Sequence, residues 1–379
     1  MSGLAPKLVS SQGNEIVFTG DFAPTETGFW FSNELNTFLH AAGTVCLNFE
    51  GAVTRQPIRS DKTGAALNLS TDLLPTFSDT LLLAGLNNNH TMDFGSEGLS
   101  ETMEFFRLNN ISCFGAGKDR REALQPLIVN LGSKRVGVIG FCMPDLELVF
   151  ANEQGAGVVA PFGQWNYVKK LKQMVDHLIV TCHGGIEFID QPAPSIVRLF
   201  RKFIESGADA VIGHHPHVPQ GWESYRGGRI FYSLGNFVFN HPYHSKFRNT
   251  DMGYLVRCRF GMGIDYDVIP VKRAGTTIEA RPDLAAQLPG LRLHEGGIDH
   301  SEWRKQCFEW LFPSWSPTSS ISIGEGQTDK QPPAGNKIRR LGKSIVRKMR
   351  HIFLLLSLPV YRDIVIGAAL YGWKRLWKN

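Results

Sequence analysis

The sequence predicts an α/β (α+β) protein whose sheet is not purely parallel, and three observations predict it. Between Glu15 and about Phe260, short β-branched or apolar runs alternate with segments of helical period, the grammar of strands with helices packed against them. The series closes on strand-like runs at 210–212, 229–232 and 254–260 with few helices between them, which requires antiparallel pairing. A composition of 42% hydrophobic and 20% charged residues in 379 is that of an ordinary globular protein with one large core or two modest ones, and it excludes disorder throughout.

The elements follow in order. Glu15-Ile-Val-Phe-Thr19 opens the series as a strand, and Thr44-Val-Cys-Leu47 is a second. Helical period predicts helices over 73–86, 99–109, 165–175 and 195–206, each followed by Gly or Asn at a plausible stop. Val136-Gly-Val-Ile-Gly140 and Leu178-Ile-Val-Thr181 read as strands between them. One domain is expected over 14–311. Residues 312–336 are rich in Pro, Ser and Gly and poor in aliphatic side chains, the mark of a flexible linker.

Residues 337–379 form a basic, amphipathic to apolar tail. They hold 11 of the 40 Lys and Arg and one of the 35 acidic residues, Asp363, which leaves 29 basic against 34 acidic residues in the body. The formal charge of +5 therefore belongs to the tail. A mildly acidic body argues against a nucleic-acid partner. Residues 352–373 are apolar except for Pro359 and the Arg362-Asp363 pair, and the pair disfavours a spanning helix. The expectation is an interfacial helix on an anionic leaflet, anchored by the basic run with Trp373 and Trp377; the bland reading is a helix packed on the protein's own body. Residues 1–15 lack the basic start and apolar stretch of a secretory signal, so the expected location is cytoplasmic or peripheral to a membrane. Six cysteines without a C-x-x-C pair read as buried thiols.

Ligand-competent residues recur just past the ends of the predicted strands, where α/β folds place their sites. Asp21 follows the first strand, although a lone Asp there also serves as a turn or cap. Glu50 closes Asn48-Phe-Glu50 after the second. Asn87-Asn-Asn-His90 comes next, ahead of Asp93 and Gly95. Burying three amides is costly unless each finds a partner, and a metal or anion is one such partner; an Asx-rich turn is the other reading. His183 precedes a Gly pair and Glu187. In Gly213-His-His-Pro-His217, an extended segment would turn His215 and His217 to one face and His214 to the other. Two carboxylates, an amide oxygen and three imidazoles suit one or two divalent ions such as Mn, Zn or Fe and are too nitrogen-rich for calcium. Such a centre polarises a phosphoryl oxygen, and His90 is the candidate general acid beside it.

These motifs, together with Gly207-Ala-Asp-Ala-Val-Ile-Gly213 and Tyr232-Ser-Leu-Gly-Asn-Phe237, resemble the CapA family of capsule and poly-γ-glutamate synthesis over roughly residues 14 to 260. That family in turn resembles the calcineurin-like metallophosphoesterases. The resemblance implies a sandwich of two mixed sheets flanked by helices. It implies Asp21 and His217 on one metal, Asn89, His183 and His215 on a second, Glu50 bridging and His90 catalytic, with His214 able to replace His215 if the loop shifts by one. Asn88, Glu187, His214 and Asn236 are candidate substrate contacts. Two departures stand out. The Asp-x-His of the phosphoesterase pattern is Asp21-Phe22-Ala23 here, and His183-Gly184-Gly185 replaces a His-Trp-Gly, removing an aromatic wall.

The functional expectation is a metal-dependent hydrolase of a phosphoester or γ-glutamyl amide in capsule or polyanionic envelope polymer synthesis, with polymer or phosphoester substrate. The alternative is a non-catalytic metal-binding assembly or polymer-binding component of a capsule synthesis and export complex.

Overall fold

The structure is a computed structural model that describes residues 6–11, 13–24, 29–57, 65–69, 80–143, 157–286, 300–311, 362–364, 366–367 and 369–370. The linker 312–336 lies outside the described residues, as does most of the tail.

In chain order the elements are β1 (Lys7–Ser11), β2 (Glu15–Ala23), β3 (Trp30–Phe31), α1 (Asn33–Ala42), β4 (Thr44–Phe49), β5 (Leu81–Gly85), α2 (Gly95–Leu108), β6 (Ser112–Phe114), β7 (Ala116–Gly117), α3 (Arg120–Ala123), β8 (Leu127–Leu131) and β9 (Lys134–Cys142). They continue with β10 (Gly157–Val158), α4 (Trp165–Lys172), β11 (His177–His183), α5 (Pro194–Glu205), β12 (Ala210–His214), β13 (Pro219–Tyr225), β14 (Gly228–Leu234), β15 (Asn236–Phe239), β16 (Met252–Phe260), β17 (Ile264–Ala274), β18 (Thr277–Ala280) and α6 (His300–Leu311).

Among the described residues, one sheet runs β1-β8-β9-β11-β12-β14-β13 and a second runs β3-β18-β17-β16-β2-β4-β5-β6, with β15 also paired to β2. Both are mixed. The β9-β11-β12-β14 and β2-β4-β5-β6 blocks are parallel, while β8/β9, β13/β14 and β16/β17 are antiparallel hairpins. Alternate residues of the two sheets meet in a shared core of Phe18, Leu83, Val138, Ile212, Phe231 and Val256. The outer face of the second sheet takes Leu35 and Leu39 of α1 and Leu99 and Phe106 of α2. The outer face of the first takes α5, where Phe203 stacks on Phe141 and Phe200 on Tyr232. The expected sandwich of two mixed sheets flanked by helices is the architecture observed.

One expected element is corrected. The helix expected over 73–86 is, in its described part, strand β5, paired in parallel with β4 and β6. Leu-Leu-Leu-Ala-Gly is apolar at every position, so it carries neither period, and pairing inside the sheet decides it. All five candidate-ligand points therefore lie in the last residues of strands, as Asp21 in β2 and His183 in β11 do, or just past them. The six cysteines are buried free thiols.

The chain divides into two compact units, Met1–Pro192 with Ile196–Ile298, and Ala193–Ser195 with Asp299–Asn379. Within the second, Trp303 of α6 is buried against Gly367, and Asp363 Oδ2 accepts a hydrogen bond from the Ser195 N–H at 2.7 Å. Ile364 is buried there, whereas Ile366 and Leu370 are about half exposed, at 50% and 45%. No described helix is long and apolar enough to cross a membrane.

Candidate metal centre

The carboxyl ends of β2, β4, β5, β11 and β12 converge, and each brings a polar side chain to one point. β2 reaches it through a break in register against β4 between Phe18 and Asp21. Gly20 lies in that break because a side chain there would meet the Gly235 carbonyl oxygen at 2.2 Å. The Asp21 N–H donates to that carbonyl at 2.8 Å, and Asn236 then pairs beside Asp21. This is the work of the Tyr-Ser-Leu-Gly-Asn-Phe motif.

Glu50 is the centre of the arrangement. It is fully buried, and its Oε1 makes no hydrogen bond among the described residues. Around that oxygen stand His183 Nε2 at 3.6 Å, His217 Nε2 at 3.6 Å and His90 Nε2 at 3.9 Å. These separations are too long for hydrogen bonds, and those of His183 and His217 suit donors sharing an ion. Two triads, Glu50/His215/His217 and Asp21/Glu50/His183, have ligand atoms within 4.8 Å of one another. An orphaned buried carboxylate ringed by imidazoles fits a divalent metal ion.

The remaining groups hold this set in place. Asp21 Oδ1 accepts from Asn48 Nδ2 at 2.9 Å, and Asp21 Oδ2 lies 3.1 Å from His217 Nδ1. His217 Nδ1 also stands 3.0 Å from Asn236 Oδ1, which leaves Nε2 turned toward Glu50. Asn236 is thus a holder of His217, its amide nitrogen donating to the Thr250 carbonyl at 2.8 Å. His183 Nε2 is 2.8 Å from Asn89 Oδ1. His90 Nδ1 is 2.8 Å from Asp93 Oδ2, which also accepts the Leu67 N–H at 2.7 Å. Sequence reasoning leaves Asp93 and Asn48 out of the candidate set, although both lie inside motifs it singles out. The signal that could find them is spacing: Asp93 sits three residues after His90, within reach of its ring.

Electrostatics follow from burial. Burial pushes the Glu50 carboxyl well above the usual range, only partly offset by His217. Asp21 goes the other way: burial works against ionisation, but the hydrogen bond and charge of His217 hold it below the usual value. Burial likewise opposes His217, yet Glu50 and Asp21 raise it to about 10. His183 is held well below the ordinary imidazole value by burial and then by the neighbouring imidazoles, in the neutral form a ligand needs.

Two readings of site residues change. The extended-segment argument for His215 and His217 fails, since β12 ends at His214 and the two residues have φ of 101° and 57°. Left-handed backbone, sparsely populated for a side chain of this kind, brings both to Glu50 instead of pleat alternation. His214 does face away, its Nε2 lying 2.9 Å from the Thr19 carbonyl oxygen, so it braces β12 against the β2 break and is not turned to a substrate. Asn88 is also committed: its amide nitrogen donates to the Phe49 carbonyl at 2.8 Å, and its oxygen accepts from the His90 N–H at 3.1 Å. Glu187 is partly buried. Next to it, Phe188 at φ 64° stacks on Phe247 with ring centres 3.8 Å apart, 6.2 Å from the His217 ring.

A family model described as "Bacterial capsule synthesis protein PGA_cap" matches residues 16–241, more than half of the chain. The chain belongs to the PGA_cap family. All the candidate ligands of this PGA_cap protein lie inside the matched stretch. "Capsule biosynthesis protein CapA" of Bacillus anthracis is 32% identical over 41% of this chain and 39% of its own length. "PGA biosynthesis protein CapA" of Bacillus subtilis (strain 168) is 31% identical over 53% of this chain and 54% of its own. The chain thus matches about half or less of each of these relatives. A solved hypothetical protein from Thermus thermophilus aligns with a TM-score of 0.43 at 12% identity, over 69% of this chain and 100% of that one.

Proposed function

We propose that this chain is a metal-dependent hydrolase acting on a phosphoester or γ-glutamyl amide in the synthesis of a capsule or poly-γ-glutamate-like polymer. The observation that carries the reading is Glu50 Oε1, buried, without a hydrogen bond and faced by three imidazole nitrogens. Asp21, Glu50, His183, His215 and His217, with Asn89, would hold one or two divalent ions. A bound ion supplies Lewis-acid polarisation of the scissile group's oxygen. His90 would be the proton donor: protonated on both nitrogens, it would donate Nδ1–H to Asp93 and pass the Nε2 proton to the leaving group, becoming neutral. The names of the relatives support the polymer as context.

The test is elemental analysis of the purified full chain beside Glu50→Ala, His215→Ala and His90→Ala, with turnover measured on an aryl phosphate and on poly-γ-glutamate. The first two variants lose metal; His90→Ala keeps it and loses turnover. Metal lost with His90 would make that residue a ligand. Metal bound without turnover on either probe, in wild type as in variants, would favour the binding and assembly role.

The same reading places the protein at a membrane surface through residues 337–379, in contact with a capsule synthesis complex. The basic run supports it, since each Lys or Arg near an anionic leaflet contributes roughly 1 kcal/mol. A chain ending at Phe312 should no longer sediment with anionic vesicles; unchanged sedimentation would remove the tail from this role.

A further inference from the structure

The two candidate triads share Glu50 but differ in what fills them. In Glu50/His215/His217, Glu50 Oε1 and His215 Nδ1 are buried and make no hydrogen bond among the described residues. Buried polar atoms without a partner are rare, and two of them on residues close enough to share an ion mark a place for one.

In Asp21/Glu50/His183 the side-chain amide of Asn48 is already there. Its Nδ2 lies 2.9 Å from Asp21 Oδ1, 3.5 Å from Glu50 Oε2 and 3.4 Å from His183 Nδ1, an atom on each of the three residues. Asn48 is buried near the end of β4. An amide nitrogen presents two hydrogens and no acceptor, so this end of Asn48 competes with a cation. Turned over, the amide would set its oxygen against Asp21 Oδ1, acceptor facing acceptor; the nitrogen is the end that fits.

The rest of this triad closes on the same terms. His183 has an amide at each ring nitrogen, Asn48 Nδ2 at Nδ1 and Asn89 Oδ1 at Nε2, 2.8 Å away, which suits a neutral ring with its proton on Nε2. Asp21 Oδ1 accepts from Asn48, while Oδ2, without a hydrogen bond of its own, has an ion-pair contact of 3.1 Å with His217 Nδ1. A carboxylate behind Nδ1, with Nε2 turned to the centre, is how outer carboxylates orient metal-binding histidines.

We infer that the centre holds a single divalent ion, at Glu50, His215 and His217, and that Asn48 fills the place a second ion would need between Asp21, Glu50 and His183. Asp21 and His183 are then positioning residues. Three protein donors leave a coordination position for water or substrate, as catalytic sites do. The inference rests on the metal-centre reading above and narrows its ligand set.

The experiment strips the purified full chain of metal with a chelator and titrates it with Mn(II). Ions bound per chain are counted by elemental analysis, and the electron paramagnetic resonance of the bound Mn(II) is recorded. Wild type is compared with Asn48→Asp and His183→Ala, each checked for folding by circular dichroism. The expected result is one ion and an isolated Mn(II) signal in wild type, and the same in His183→Ala. Asn48→Asp, which puts a carboxylate where the amide stood, gains a second ion and the spin-coupled signal of a bridged pair. A coupled pair in wild type would overturn the inference, as would loss of the ion in folded His183→Ala or a single ion in folded Asn48→Asp. Should either variant fail to fold, the count and signal of wild type still decide. Wild type that takes up no ion would sink the metal-centre reading and this inference together, whereas two ions sink the inference alone.

Discussion

Asn87, Asn88 and Asn89 are consecutive, yet each is bound to a different part of the molecule. Asn87 crosses to the other sheet, donating to the Phe141 carbonyl at 3.1 Å and accepting from Thr181 Oγ1 at 3.1 Å. Asn88 closes the turn that carries His90, and Asn89 meets His183. The cost of burying three amides is met by three separate sets of partners, only one of which belongs to the centre. His90 depends on a fourth residue. Its Nδ1 is fixed by Asp93, so Asp93→Asn should cost about 10²-fold in turnover with metal content unchanged, a loss of general acid-base assistance. Equal turnover in that variant, measured beside elemental analysis, would show that the His90–Asp93 contact only shapes the turn.

At the scale of elements, the centre depends on two strands approaching closely where side chains are absent. A Cβ at Gly140 of β9 would lie 2.1 Å from Asn87 Oδ1 and 2.9 Å from its Cβ. Gly140→Ala should therefore destabilise the fold by about 1–3 kcal/mol through overpacking. Asn87→Ala should cost about 1–3 kcal/mol by removing the two buried hydrogen bonds of its amide, to the Phe141 carbonyl and from the Thr181 hydroxyl, which keeps only its 3.5 Å contact with the Ile139 carbonyl. In the double variant the contact with Oδ1 is gone and the one with Cβ remains, so part of the loss is recovered. Urea denaturation of the three variants gives the coupling energy, and simple additivity would mean that the two residues do not share the inter-sheet contact.

For the molecule as a whole, buried imidazoles set the response to pH. His183, His214 and His244 are each held below the ordinary value of 6.5, by burial first, and so are neutral when folded. Groups of lowered imidazole value bind protons in the unfolded chain before they do in the folded one. Stability from them is present above 6.5 and is lost as pH falls below it. His217 has the opposite sign: raised to about 10, it contributes fully below 6.5 and loses its contribution as pH rises through about 10. Glu50, raised by burial, also opposes the loss on the acid side. Three imidazoles against one carboxyl give a metal-free protein whose urea midpoint falls as pH drops below 6.5, and a flat midpoint there would contradict their burial as neutral rings. The sequence by itself determined the α/β class and the alternation of elements, and it put the candidate donors at strand ends, because strand ends and ligand-competent residues are both local features. Tertiary structure alone decided the rest. Leu81–Gly85 is a strand only because β4 and β6 flank it, and His215 and His217 converge through left-handed backbone that no periodicity encodes. Asn48, Asp93 and Phe188 acquire their contacts from neighbours distant in the chain or across a turn, since orientation and burial are properties of packing and not of spacing.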